Sequence, residues 1–248
     1  NIRIVQDHGT VEIMRGCIQG CRFCHAGYFY RPCRMKGLRQ IIQEVDYLVR
    51  TMGYRHITLS SLSTGDYAEI DELIQRLNKS YSTYGVSFAL PSIKMNSFSL
   101  NLLNEISAVR RSGLTFAVET PRDAWQMSIN KTVSFEQTVR VIHAAKKRGW
   151  NLAKFYFMIG LPHSDREKEC EEILDFVHQV RDATKVRINL NLGTFVPKPH
   201  TAYQWASQIP EGTALEMINK VKRGLGHRSI QIGYHMPFQS HLEGLISR

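Results

Sequence analysis

Short apolar runs alternate with amphipathic segments along most of the chain. Runs rich in apolar and β-branched residues predict strands at 10–14, 56–59, 86–90, 114–118, 152–159, 186–196 and 230–234. Segments with apolar residues at helical spacing predict helices at 38–52, 67–81, 100–110, 134–148, 164–180 and 211–225. Strands that alternate with helices in this way predict βαβ units and a parallel sheet.

Cap and turn residues mark the ends of several predicted helices. Gly53 and Gly149 follow helical segments, where a glycine ends a helix readily. Ser134 with Gln137 predicts a capping box at the start of one helix, and Ser164 with Glu167 predicts a second. The predicted helices are therefore bounded by local signals as well as by their periodicity.

The repetition of about six βα units predicts a barrel rather than an open doubly wound sheet. No Gly-x-Gly-x-x-Gly motif follows the first strand, which disfavours a dinucleotide-binding fold. In a βα barrel the functional residues lie at the carboxyl ends of the strands. Candidate polar and cysteine residues follow each of the six main strands of this chain, which favours that arrangement.

The length and composition suit one large α/β domain. The chain has 248 residues, of which 43% are hydrophobic, enough for a sizeable core. We expect residues 1–248 to form a single core domain, with residues 203–248 as a C-terminal extension packed on the barrel. Because the chain begins at Asn1, we expect it to be a fragment of a longer protein. No apolar run is long enough to span a membrane, and no signal peptide is evident.

The cysteine content predicts a reducing compartment. Five cysteines are an odd number, and three of them share one short motif, which is unlike a disulfide framework. We therefore expect a cytoplasmic protein. The two remaining cysteines, Cys33 and Cys170, are interpreted as a bystander near the motif and an inert thiol in a helix.

The net charge of +10 is compatible with RNA or another polyanion, and equally with ordinary solubility. Basic and aromatic residues mix between positions 28 and 39, a composition that suits stacking on single-stranded bases. It suits the packing of a long loop over a barrel mouth just as well. The residues in question are Tyr28, Phe29, Tyr30, Arg31, Arg34, Lys36 and Arg39.

The most informative stretch is a cysteine motif that directly follows the first predicted strand. Cys17, Cys21 and Cys24 have the spacing C-x3-C-x2-C. Three thiolates can each bind one iron of a [4Fe-4S] cluster, and no fourth cysteine stands at a matching spacing, so the fourth iron stays open to another ligand. The alternatives are a zinc site, which usually has four ligands in paired knuckles, or three unrelated buried thiols.

This motif resembles the signature of the radical SAM superfamily. The resemblance implies that S-adenosylmethionine (SAM) binds the open iron and is cleaved by an electron from the cluster to methionine and a 5′-deoxyadenosyl radical. It also implies an open partial TIM barrel of six strands and places Phe23 near the adenine. The chain is most similar to the elongator-type and methylthiotransferase-like branch. Residues 10–32 and 195–201 are similar to cobalamin-domain-fused members, which implies cobalamin bound by a domain outside this chain.

The same resemblance implies further cofactor-binding positions after the second and third strands. Ser61 and Ser63 align with the turn that receives the SAM ammonium group, although Ser63 stands where the family has Glu. Asp66 is a candidate for the missing anion, with a helix N-cap as the alternative role. Lys94 stands where relatives often have Arg.

Later strand ends carry the remaining expected site residues. Glu119 matches a polar residue that contacts the bound cofactor, commonly at its ribose hydroxyls. Asn130 and Lys131 match an Asn-Arg pair whose cation holds the methionine carboxylate. Ile159 and Gly160 lie in a stretch that resembles the family's adenine-binding motif. The alternative for Glu119 is a surface carboxylate at a strand end. The alternative for Lys94 and for Lys131 is a solvated side chain.

We therefore expect an iron–sulfur enzyme that cleaves SAM to modify an unknown substrate, with RNA as one candidate. It would need a reducing electron donor such as a flavodoxin or ferredoxin. Methyl transfer with cobalamin is a second possible use of SAM. The competing hypotheses are a non-catalytic iron–sulfur redox module and an RNA-binding domain with a structural cluster.

Overall fold

The computed structural model describes residues 7–91 and 114–247. These residues form two compact units that are discontinuous in sequence. The described part of the first unit is 7–18 with 30–91, and that of the second is 19–29 with 114–247. Lys94 and the helix predicted at 100–110 lie outside the described residues.

The described strands and helices follow one another in the alternating order that the sequence predicts. The strands are β1 (Gly9–Glu12), β2 (Met14–Arg15), β3 (Arg34–Met35), β4 (His56–Ser60), β5 (Ser87–Ala89), β6 (Leu114–Glu119), β7 (Leu152–Ile159), β8 (Arg187–Thr194) and β9 (Ile230–Tyr234). The helices are α1 (Ala26–Phe29), α2 (Leu38–Asp46), α3 (Ile70–Tyr81), α4 (Asp123–Ser128), α5 (Phe135–Lys147), α6 (Arg166–Thr184), α7 (Glu211–Gly224) and α8 (Pro237–Ile246).

The first unit contains a parallel three-stranded sheet in the order β1-β4-β5. Helix α2 continues as a π-helical segment, Tyr47–Thr51, and a 3-10 turn, Thr64–Asp66, precedes α3. The apolar stripes of α2 and α3 are buried together with the strand residues in one core, which includes Ile41, Val45, Leu73 and Leu77. This burial is the main stabilising contribution that the helical periodicity predicts.

The second unit contains a parallel four-stranded sheet in the order β6-β7-β8-β9. Alternate residues of β7 and β8 are buried, as expected for strands with one face covered by helices. Phe176 of α6 meets Phe155 and Phe157 of β7 edge-on, with ring centroids 5.8 and 5.5 Å apart. The parallel strands bring their carboxyl ends to one edge of the sheet, where Glu119 and Ile159 end β6 and β7.

The structure confirms the predicted α/β class with parallel strands, and most element boundaries agree within a few residues. Two details of the helix starts differ. Helix α3 begins at Ile70 rather than at 67, because residues 67–69 form a non-helical turn after the 3-10 segment Thr64–Asp66. Asp165, and not Ser164, caps α6, since its carboxylate accepts the Glu167 N–H at 3.2 Å. The predicted cap at Ser134 is confirmed by its hydrogen bond from the Gln137 N–H.

Several short elements were not predicted from the sequence. Strands β2 and β3 pair antiparallel, and helices α1 and α4 span four and six residues. Elements of two to six residues hold too few positions for a periodic pattern to emerge. In residues 203–247, β9 and α7 were predicted, and β9 adds a fourth parallel strand to the sheet, whereas α8 was not predicted. Among the described residues, no helix combines the length and apolarity that crossing a membrane requires.

Candidate functional site

In the second unit, Cys21 and Cys24 lie on a tight turn that leads into α1. The Cys24 N–H donates to the Cys21 carbonyl at 3.0 Å, and the His25 carbonyl then accepts the N–H groups of Tyr28 and Phe29. Cys21 is buried and Cys24 is half-buried. Neither thiol forms a disulfide. The turn therefore keeps both thiols available on one short segment.

In the first unit, Gly16 allows the backbone to pass close to a neighbouring segment just before Cys17. Its φ is +95°, a value that L side chains rarely adopt. A Cβ at this position would collide with the Tyr30 carbonyl oxygen and stand 3.1 Å from Cys33 Cα. Any larger residue here would displace the segment that carries Cys17. Burial raises the pKa of the neighbouring Cys33 thiol, which disfavours its thiolate form.

Within the second unit, the cysteine turn is tied to the chain that follows α4. The Arg22 N–H donates to the Ile129 carbonyl at 3.0 Å, and the Arg22 guanidinium donates to the Ser128 carbonyl at 2.5 Å. In return, the Asn130 amide donates to the Gly20 carbonyl at 3.0 Å. Asn130 has a φ of +53°, a left-handed conformation that Asn tolerates better than most residues. These contacts join two segments more than 100 residues apart.

Glu119 and Lys131 form an ion pair at this place. Lys131 Nζ lies 2.6 Å from Glu119 Oε1, and the two side chains are only 11% and 13% exposed. Glu119 has a φ of +67° where the pairing of β6 with β7 shifts register, which turns the strand end away from the regular pleat. The Lys131 ammonium also lies 6.0 Å from the centre of the Phe23 ring. Opposite charges and an aromatic face thus meet beside the cysteine turn.

Gln126 supports this arrangement and was missed by the sequence reasoning. Its side chain, in α4, is 1% exposed. Its side-chain nitrogen donates to the Thr120 carbonyl at 2.9 Å, and its side-chain oxygen accepts the Val133 N–H at 2.7 Å. Its backbone carbonyl accepts the Lys131 N–H at 2.9 Å. A buried glutamine with every amide function satisfied fixes the turn that presents Lys131. No pattern in the sequence marks it, because α4 is too short to show an apolar face.

The turn after β7 is organised by a buried carboxylate that the sequence reasoning also missed. Glu169 of α6 is 2% exposed. It accepts the Gly160 N–H at 2.8 Å, the Leu161 N–H at 3.2 Å and the Ser164 hydroxyl at 2.6 Å. Burial raises the pKa of this carboxyl, and the three donors act in the opposite direction. The Ser164 hydroxyl therefore donates to the Glu169 carboxylate instead of capping α6.

Gly160 is sterically required in that turn. Its φ is +73°, and a Cβ there would approach Ile209 within 2.7 Å. Ile159 is fully buried, and its carbonyl accepts the Phe195 N–H at 3.0 Å. Ile209 thus packs directly against the Gly160 backbone, which leaves no room for a side chain at this position.

An apolar cluster connects the turn after β7 with the cysteine segment. Ile129, Leu161, Phe195 and Tyr203 are buried in it, and the partly buried Phe23 packs against them. The Tyr203 hydroxyl also donates to the Ser128 carbonyl. The second unit therefore contains eight of the expected site residues, joined by these contacts or through their immediate neighbours: Cys21, Phe23, Cys24, Glu119, Asn130, Lys131, Ile159 and Gly160.

The remaining expected residues lie in the first unit or outside the described part. Ser63 is buried and donates to Asp66 Oδ2 at 2.6 Å, while the Ser61 and Thr64 hydroxyls are 2.9 Å apart. Asp66 is not the N-cap of α3, so that alternative is wrong. Its role as an anion for the cofactor stays a prediction, as does the role of Lys94, which lies outside the described residues.

The side chains present fit a cluster and SAM in chemical type. The three thiols form no disulfide, and among the described residues no three His, Cys, Asp or Glu side chains form a site for a single metal ion. A cluster differs from a single ion because each thiolate binds a separate iron. The groups that SAM would require are also present: Lys131 is a cation, Glu119 a hydrogen-bond acceptor and Phe23 an aromatic face.

A substitution of Glu169 tests whether the carboxylate holds the turn. We expect Glu169→Ala to lower the free energy of unfolding by about 2–4 kcal/mol, because it leaves two buried N–H groups without an acceptor. Amide hydrogen exchange at Gly160 and Leu161 should accelerate in the same variant. Glu167→Ala, an exposed position on the same helix, is the matched control and should change stability by less than about 0.5 kcal/mol. Unchanged exchange at the two amides in Glu169→Ala would contradict this role.

Comparison with known families identifies the class of protein. The model of the Radical SAM superfamily matches residues 11–177, which is most of the chain. The chain therefore belongs to the radical SAM superfamily, and the family expected from the cysteine motif is confirmed.

Two curated relatives match nearly all of the chain. An uncharacterized protein of Methanocaldococcus jannaschii is 29% identical over 225 residues, covering 90% of this chain and 48% of the relative. The ribosomal protein uS12 methylthiotransferase RimO of Thermosipho africanus is 21% identical over 248 aligned positions, covering 93% of this chain and 54% of that protein. The expected likeness to methylthiotransferases is thus confirmed, and the chain spans about half the length of the curated relatives it matches.

Solved structures share the fold. The radical S-adenosylmethionine methyltransferase TsrM of Kitasatospora setae, solved with cobalamin and a [4Fe-4S] cluster bound, aligns with a TM-score of 0.65. The two are 14% identical, and the alignment covers 82% of this chain and 41% of that one. The structural neighbours are radical SAM partial TIM barrels, which confirms the fold class expected from the sequence.

Proposed function

We propose that this chain is the catalytic core of an iron–sulfur enzyme that reductively cleaves SAM. Cys17, Cys21 and Cys24 would each bind one iron of a [4Fe-4S] cluster. The observation that supports this most is the set of contacts beside the cysteine turn. There the Glu119–Lys131 pair, the Phe23 ring and the Asn130 amide meet residues 20–24 within one unit. Glu119 and Lys131 carry opposite charges and are nearly buried at a strand end. Such a pair suits a ligand that itself has one positive and one negative group.

The bound cluster and SAM supply the hard chemistry, in which one electron breaks a carbon–sulfur bond of the sulfonium and releases methionine and a 5′-deoxyadenosyl radical. The chain supplies binding and orientation. Lys131 would hold the methionine carboxylate, and Glu119 would accept hydrogen bonds from the ribose hydroxyls. Asn130 keeps the cysteine turn in place through the Gly20 carbonyl. The turn at Gly160 would offer its backbone to the adenine.

The use made of the radical is proposed from the relatives. A methylthiotransferase and a cobalamin-containing methyltransferase are among the similar proteins, so methyl or methylthio transfer to the substrate is the candidate reaction. Cobalamin would come from a domain outside this chain. Within this chain the sequence has no second cysteine triad, so a sulfur-donating cluster for methylthio transfer would likewise come from outside it. The electron donor would be a flavodoxin or ferredoxin in the cytoplasm.

RNA is the substrate class that we propose, on the basis of charge. The net charge is +10, and exposed arginines Arg34 and Arg39 lie in the basic and aromatic segment. Lys36, expected to be part of this set, is instead paired with Glu44 at 2.7 Å. A phosphate backbone is the partner that a basic surface favours most generally.

Metal and sulfide analysis tests the proposed cluster. Protein reconstituted anaerobically with iron and sulfide should hold about four irons and four sulfides per chain. Protein purified without oxygen that holds one zinc and no sulfide would contradict the proposal and favour a structural metal site.

A further inference from the structure

An exposed tryptophan, Trp205, lies in the segment that forms one wall of a cleft in the second unit. The Gly160 turn, proposed to approach the adenine of SAM, forms part of another wall, and Trp205 is not part of that proposed site. The Trp205 side chain is 88% exposed, whereas Trp125 and Trp150 are buried. Tryptophan combines a large apolar ring with a polar N–H and is enriched at interfaces, so an indole presented to solvent is a candidate contact for a partner. Trp205 is the most exposed large apolar side chain among the described residues.

The exposure of Trp205 does not come from a loosely attached loop. Tyr203, two residues before it, is buried against Phe195 and His163, with ring centroids 6.1 Å apart in both cases. Ala206, the next residue, packs against the same apolar cluster and donates its N–H to the Tyr203 carbonyl at 3.0 Å. The neighbours on both sides are thus anchored, and the indole is presented outward on a fixed backbone.

The cleft adjoins this segment. It has a volume of about 470 Å³ and is open to solvent. Its walls come from the turn after β7, the start of α6 and the segment that contains Trp205: Gly160, Leu161, Pro162, His163, Ser164, Arg166, Ala202, Tyr203, Ala206 and Ser207. Trp205 itself lies between two of these lining residues in the chain.

The charge of the cleft favours an anionic ligand. Arg166 is a permanent cation at its wall, His163 adds an imidazole and Ser207 a hydroxyl. No residue lining the cleft carries a carboxylate, among those the structure describes. Asp165, which is adjacent in sequence, is occupied by the Glu167 N–H and by Lys168 at 3.2 Å. Glu169 lies beneath the cleft with its oxygens taken by three donors.

We propose that Trp205 and this cleft bind one unpaired nucleotide of an RNA strand. The base would stack on the indole, and the phosphate would bind at Arg166 and His163. An aromatic platform beside a cation is the combination by which proteins hold single-stranded nucleic acid. A cleft of about 470 Å³ has room for the ribose and phosphate of that nucleotide and is too small for a duplex. The inference rests on the RNA partner proposed above and not on the cluster chemistry.

The test is fluorescence anisotropy of a labelled, unstructured RNA about 12 nucleotides long, titrated with cluster-loaded protein in the presence of SAM. We expect salt-dependent binding by the wild type. Trp205→Ala should weaken it by about tenfold or more, whereas Trp205→Phe, which keeps an aromatic face, should stay within about threefold. Arg166→Gln should reduce the salt slope by about one, because it removes one phosphate contact.

Controls separate stacking from a general loss of fold. Tyr47→Ala removes an aromatic side chain that is 57% exposed in the first unit, and it should bind the RNA like the wild type. The same strand made of DNA shows whether the 2′-hydroxyl contributes, since weaker binding of DNA assigns part of the affinity to that group. Equal binding of DNA would assign the affinity to stacking and phosphate contacts.

Three outcomes would overturn the inference: no binding of the RNA at low salt, equal binding by Trp205→Ala and the wild type, or equal loss in Trp205→Phe and Trp205→Ala. An unstructured peptide that binds more tightly than the RNA, through Trp205, would also overturn it and assign the surface to a protein partner. Cleavage of SAM is measured separately, without RNA. A protein that cleaves SAM but does not bind the RNA therefore refutes this inference and leaves the cluster chemistry intact.

Discussion

Replacing any of Cys17, Cys21 or Cys24 with Ala should abolish the cluster and with it the cleavage of SAM. Each thiolate would bind a separate iron, so none can substitute for another. We expect the yield of 5′-deoxyadenosine to fall by at least about 100-fold, because loss of a metal ligand costs more than the 10–100-fold typical of its hydrogen-bonding neighbours. The measurement is iron content together with product formation in anaerobically reconstituted protein.

Cys33 and Cys170 provide the matched controls. Cys170 is buried in α6 with its thiol 3.6 Å from the Met217 carbonyl, and Cys33 carries a thiol whose pKa is raised by burial. Cys33→Ala and Cys170→Ala should therefore take up iron and form product like the wild type. A Cys33→Ala variant that loses the cluster, beside a Cys24→Ala variant that keeps it, would show that the ligand set is assigned wrongly.

The second large effect concerns the ion pair of Glu119 with Lys131. We expect Glu119→Gln and Lys131→Met each to weaken SAM binding by about tenfold or more, the usual cost of losing a hydrogen bond to a charged group. The cluster content should not change. Each single variant also leaves an unpaired charge that is almost fully buried, so each should be less stable than the wild type.

The double variant separates binding from stability. Glu119→Gln combined with Lys131→Met removes both charges and should recover much of the stability lost in the single variants. SAM binding should remain weak, because both contacts to the cofactor are gone. Lys220→Met, which breaks the exposed pair with Glu171, is the matched control and should leave SAM affinity unchanged. SAM affinity that recovers together with stability in the double variant would show that the pair is structural.

The sequence predicted the fold well because its helices and strands carry clear periodic patterns. The apolar stripe of α3 and the run of β7, which is apolar except for Lys154, are long enough for the pattern to be unambiguous. Strand pairs such as β2 with β3 are two residues long and depend on contacts that no local pattern encodes. The start of α6 was mispredicted because the carboxylate of Glu169, five residues further along, accepts the Ser164 hydroxyl that the capping box would have used.

The cysteine motif could be found from the sequence because a cluster requires thiolates at fixed spacing. Glu119 and Lys131 were expected from the resemblance to the radical SAM superfamily, and the structure brings them within 2.6 Å of each other. The supporting residues could not be found, because Gln126 and Glu169 act through side-chain hydrogen bonds to backbone groups in nearby turns, and Trp205 is marked only by its exposure. No sequence pattern marks which side chains will make contacts of this kind.

The most direct test of the account is a single-turnover assay of SAM cleavage. Protein reconstituted with iron and sulfide is reduced without oxygen and mixed with SAM, and 5′-deoxyadenosine and methionine are quantified. The account predicts both products in equal amounts, formed only with reductant and not by the Cys24→Ala variant. Fully loaded [4Fe-4S] protein that binds SAM but forms neither product, with or without a flavodoxin or ferredoxin as donor, would contradict it.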